Sequence, residues 1–114
     1  MDDLVITDVR TLPGDSGFLI DDGEKTYYVT GDTLYHLDVI DAVRAICKNG
    51  PDVVFLPVNG VGNNMNMVDA ADFAEEIGAQ LAVPLHCGLF DSLSFEDFPF
   101  VNKIIPSLYG EIEL

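Results

Sequence analysis

Basic residues are few. Five Lys and Arg stand against twenty Asp and Glu, a formal net charge of -15 over 114 residues. That balance excludes nucleic acid as a partner, because neutralising phosphates needs a basic surface. It argues equally against an anionic membrane face. So much acid reads first as a soluble, self-repelling surface and second as an attraction for cations, divalent metals included. Cysteine is scarce as well: Cys47 and Cys87 are too few for a disulfide framework. No apolar run approaches the ~20 residues of a membrane span. The first residues are acidic instead of basic and then apolar, so a signal peptide is not expected and the cytoplasm is. There is no glycine-rich phosphate motif, no Ser-His-Asp order, no repeat and no linker.

What is present suits one folded domain over residues 1–114. Hydrophobic residues make up 48% of the chain and the mean hydropathy is +0.24, which argues against disorder. Residues 4–9 alternate loosely around Leu4 and Ile6 and read as a strand. Residues 17–20 and 26–30 read as an antiparallel pair joined by the turn Asp21-Asp22-Gly23-Glu24-Lys25. Over 37–48, the spacing of Leu37, Ile40, Val43, Ile46 and Cys47 predicts a helix with one apolar stripe, ended by Asn49-Gly50-Pro51. Residues 53–58 are almost all apolar, as in a strand buried on both faces. Asn66 is placed to cap a helix over 67–77, with Asp69 in its first turn, Met67, Ala70, Ala71, Ala74 and Ile77 inward, and Gly78 after its end. Residues 81–85 form the next strand, parallel to the last. Residues 91–98 are compatible with a short helix and 111–114 with a closing strand.

Three of these strands end in residues able to do chemistry. Tyr28-Val29-Thr30-Gly31 delivers Asp32, Phe55-Leu56-Pro57-Val58 delivers Asn59, and Val83-Pro84-Leu85 delivers His86. Ligands of open α/β sheets bind outside the carboxyl ends of the strands. Each residue also has a plain reading. Asp32 after glycine serves as a turn former, and His86 as a hydrogen-bonded core histidine. His36 is a helix-start histidine or a substrate contact. Asn59, Asn63 and Asn64 are loop residues or orient a polar ligand. Cys87 adjoins His86, but neighbours on a strand point to opposite faces and do not share one ion.

Taken in order, Ser16-Gly17-Phe18-Leu19-Ile20, Tyr28-Val29-Thr30-Gly31-Asp32-Thr33, Phe55-Leu56-Pro57-Val58-Asn59-Gly60, Met67-Val68-Asp69-Ala70-Ala71 and Val83-Pro84-Leu85-His86 resemble the metallo-β-lactamase-fold hydrolases, in particular the subgroup with the L-ascorbate-6-phosphate lactonases. The resemblance implies half of an αββα sandwich, a mixed sheet with two main helices. It implies that Asp32 matches a metal-bridging carboxylate and His86 the last histidine ligand; His36, Asn59 and Asn63 are read from their positions as substrate contacts. It also implies a divalent metal, Zn or Mn, whose bound water attacks a lactone or phosphoester.

The family's His-x-His-x-Asp-His cluster has no counterpart here, and two ligands are fewer than the three protein ligands of a catalytic zinc. The expectation is therefore a C-terminal half, weakly active or inactive alone. Its open sheet face would be covered in a homodimer or by a separate chain carrying the other half. The alternative is a non-catalytic assembly domain derived from the same fold.

Overall fold

A computed structural model describes residues 5–10, 16–31, 33–58, 60, 65–85, 98–100 and 102–103. Five strands and two helices follow one another as β1 (Val5–Arg10), β2 (Ser16–Asp21), β3 (Thr26–Val29), α1 (Leu37–Ile46), β4 (Val53–Pro57), α2 (Met67–Glu76) and β5 (Leu81–Leu85). The strands form one sheet in sequence order. β1, β2 and β3 are antiparallel neighbours, and β3, β4 and β5 run parallel. The expected α/β class, a mixed sheet with two main helices, is the one observed.

The antiparallel pair is closed by its own acids. The Asp21 carboxylate accepts from the Gly23 N–H at 2.8 Å, and that of Asp22 accepts from Glu24 and Lys25 at 2.9 and 2.7 Å. Short acidic side chains reach backbone donors two residues on, which is why they make turns. The parallel strands need longer connections, and α1 and α2 supply them.

Alternation along the strands sorts residues into two faces. In register across the sheet, Thr7, Leu19, Tyr28, Val54 and Ala82 form one row. All but Thr7 join the buried core with both helices. The next row, Asp8, Phe18, Val29, Phe55 and Val83, faces the other way and is not part of that core. Val9 is buried against the helices while Ile6 is 56% exposed. β1 thus turns Val9 toward the core and Ile6 away from it.

α1 buries Val39, Ile40 and Val43. Leu37 and Ile46, expected inward, are 63% and 48% exposed, and Cys47 is the half-buried C-cap. A ten-residue helix has fewer than three turns, so its middle rests on the sheet and its ends overhang. α2 behaves as expected. Asn66 Oδ1 accepts from the Asp69 N–H at 2.8 Å, Met67, Ala70, Ala71 and Ala74 are buried, and Gly78 has φ 76° just past the end. Phe73, outside the predicted stripe, is fully buried. Its ring centroid lies 6.2 Å from that of Tyr28 and 6.4 Å, edge-on, from that of Tyr35. Burying one such ring is worth roughly 2–3 kcal/mol. The Arg44 guanidinium donates to the Glu76 carbonyl at 3.1 Å and ties the two helices.

Beyond β5, Phe98 is buried in the core and the Ala82 N–H donates to the Asn102 carbonyl at 2.9 Å. The rest of the expected helix over 91–98, and the strand over 111–114, lie outside the described residues. Among the described residues no helix is long and apolar enough to cross a membrane.

Candidate functional site

The parallel strands end in step. The Thr30 N–H donates to the Phe55 carbonyl at 3.1 Å, and the Val58 N–H to the Leu85 carbonyl at 3.1 Å. The carboxyl ends of β3, β4 and β5 therefore share one edge of the sheet, and in the sequence Asp32, Asn59 and His86 follow those ends. These three residues, with Asn63 and Asn64, lie outside the described residues. Their described neighbours carry the site's architecture.

Around Asp32 that architecture is tight. Gly31 turns with φ 67°, in the left-handed region that glycine enters without strain. Thr30 and Thr33 are fully buried. Their hydroxyls donate to the carbonyls of Gly31 at 2.7 Å and Leu34 at 3.1 Å. Beneath them lies Gly17 of β2, where a Cβ would sit 2.5 Å from the Thr30 carbonyl oxygen and 2.6 Å from that of Val29. Any side chain there would displace the backbone that leads to Asp32. Gly17 is a site residue that the strand reading did not single out. Its signal is a glycine inside a strand, which marks a close backbone approach.

His36 is described and has a definite job. It is the N-cap of α1, and its Nδ1 accepts from the Asp38 N–H at 3.0 Å. The side chain is 42% exposed. After β4, the Gly60 N–H donates to the Met65 carbonyl at 3.0 Å, which pins both ends of the segment holding Asn63.

The opposite edge is built differently. Asp52 opens β4 and clamps the start of β3: its N–H donates to the Thr26 carbonyl, and its Oδ2 accepts from the Thr26 N–H, both at 2.8 Å. Hydrogen bonds to the Lys25 and Glu24 amides hold the Asp22 carboxyl below its ordinary range. Burial pushes the Cys47 thiol up. That thiol lines a small hollow with Val5, Thr7, Asp21 and Thr26, away from the Asp32 edge. Asp52 went unnoticed in the sequence because its partner lies 26 residues away.

Among the described residues no group of three His, Cys, Asp or Glu is placed to hold a metal ion. The described side chains do not by themselves fit one. The donors named from sequence, Asp32 and His86, lie outside the described residues.

No family model matches the chain. It is 35% identical over 93 residues to a UPF0173 metal-dependent hydrolase of Geobacillus thermodenitrificans, an alignment that covers 82% of this chain and 39% of that protein. Among solved structures, a putative metal-dependent hydrolase from Parabacteroides distasonis superposes with a TM-score of 0.65 at 20% identity, over 90% of this chain and 49% of the other. The metallo-β-lactamase-fold protein YhfI of Bacillus subtilis gives 0.63 at 18%, over 90% and 45%. Over most of its own length the chain thus corresponds to part of the metallo-β-lactamase-fold metal-dependent hydrolases, and it spans less than half the length of the relatives it matches.

Proposed function

We propose that this chain supplies the Asp32/His86 side of a divalent-metal site in a hydrolase acting on lactone or phosphoester-type substrates. His36, Asn59 and Asn63 contact the substrate. The observation that supports this reading is the common edge reached by β3, β4 and β5, where a carboxylate, an amide and an imidazole follow the three strand ends. The sequence similarity to metal-dependent hydrolases supports the metal. An Asp/His pair suits Zn and Mn alike. The lactone class rests on the resemblance to the ascorbate-6-phosphate lactonases. Two donors are fewer than a catalytic zinc takes, so the chain alone is weakly active or inactive.

The test is the metal content of the full chain by plasma mass spectrometry, beside Asp32→Ala and His86→Ala. About one equivalent is expected, falling at least tenfold in either variant. A chain that takes up no Zn or Mn, or variants that keep it, would rule the assignment out. His36 is tested apart from its capping role. His36→Asn retains a cap acceptor and should keep the melting temperature while raising KM in any lactone or phosphodiester assay that responds to metal.

A further inference from the structure

Thr30 and Thr33 run against the composition of the core. Among the described residues they are the buried polar side chains, the aromatic hydroxyl of Tyr28 aside, and both are fully enclosed. A hydroxyl taken out of water costs free energy unless it is hydrogen-bonded. Burial at a strand end does not itself call for one. Val58, just past the end of β4, is equally enclosed and has a methyl where threonine has its hydroxyl. The two strand ends differ in what the chain carries next. Asn59 follows Val58, whereas Gly31 and Asp32 follow Thr30.

The bonds these hydroxyls make are local. Thr30 Oγ1 donates to the Gly31 carbonyl and Thr33 Oγ1 to the Leu34 carbonyl. The Gly31 carbonyl belongs to the peptide unit that contains the Asp32 nitrogen. That unit is planar, so holding its oxygen holds the plane through which the chain enters position 32. Restraint matters there because Gly31, at φ 67°, is the residue type least able to fix its own backbone. The Leu34 carbonyl belongs to the unit that leads to Tyr35 and then to His36, the cap of α1.

We infer that Thr30 and Thr33 are positioning residues for Asp32 and His36, whose hydroxyls are kept in the core to fix these two peptide planes. Their action passes through the backbone. The consequence for metal rests on the proposed role of Asp32, whereas the restraint itself rests on the two hydrogen bonds. Valine is the probe, since it matches threonine in shape and lacks the donor. Serine is the converse, keeping the donor and dropping the methyl.

The experiment makes two measurements on the full chain: the Kd for Zn and for Mn by equilibrium dialysis, and amide hydrogen exchange of the metal-free protein by NMR. Thr30→Val is expected to weaken metal binding about tenfold and to speed exchange about tenfold at residues 31–34, with the amides of β3 unchanged. Thr30→Ser should behave as the wild type. Thr33→Val should act in the same direction as Thr30→Val, and it carries the test if Thr30→Val fails to fold by circular dichroism. Ile40→Val trims a buried residue of α1 and touches neither bond, so it should lower stability and leave the Kd where it was. Valine variants with wild-type exchange at 31–34, or with wild-type metal affinity, would overturn the inference. So would an Ile40→Val protein that loses as much affinity as they do. A wild-type chain that takes up neither Zn nor Mn counts against the proposed function instead, and the exchange rates then decide the inference by themselves.

Discussion

The two ends of the parallel strands are constructed on opposite principles. At the amino ends the backbone is stitched down: Asp52 clamps Thr26 through two hydrogen bonds, and the Leu81 and Gln80 amides donate to the carbonyls of Asp52 and Pro51. Polar groups there are spent on structure. At the carboxyl ends the strands are held in step as far as Thr30 and Val58. Gly17 and Gly31 then clear space and turn the chain. In the sequence, Asp32, Asn59 and His86 come after these strand ends. The lesson is one of division: one edge fixes register, which leaves the other able to carry chemistry without also holding the sheet together.

That contrast can be broken from either end. Gly17→Val should have the largest effect. Its side chain has no room beneath the Thr30 carbonyl, and overpacking against backbone should cost about 3 kcal/mol or more in urea unfolding. A folded fraction, if recovered, should have lost metal along with the Asp32 turn. Asp52→Ala comes next, at about 1–3 kcal/mol, for it strips the Thr26 N–H of its acceptor. Faster hydrogen exchange confined to the start of β3 would report it, with metal content unchanged. Tyr28 sits between the two ends and sharpens the comparison by sign. Its hydroxyl is buried without a hydrogen-bond partner among the described residues, and the same burial pushes the phenol above its ordinary range. Tyr28→Phe keeps the ring against Phe73 and should stabilise the fold by about 1 kcal/mol in denaturant titration.

Much of the fold could be read from local pattern. The apolar runs ending in Gly31, Val58 and Leu85 became the parallel strands, and Asn66 and Gly78 bound α2 as capping chemistry dictates. Each of these signals lies within a few residues of its effect. What escaped reading depends on distant neighbours. α1 is turned so that Val39 is buried and Leu37 is not, because the sheet it rests on sets the angle. Phe73 and Phe98 are core residues through rings and strands far along the chain. The same limit applies to the site. His36 at a helix start was visible, and its cap to the Asp38 N–H is local. Gly17 matters only because β3 turns directly above it.

The hydrogen bond from the Gly60 N–H to the Met65 carbonyl has a bearing on how such a chain changes over generations. One end of the connection is anchored by β4 and the other by the Asn66 cap of α2, so residues 61–64 join two fixed posts. Doubling a loop costs only about 0.6 kcal/mol in closure entropy. Substitutions and insertions there leave strand and helix untouched. Asn63 falls within that connection, where drift or design can change the sequence while the fold stays as it is.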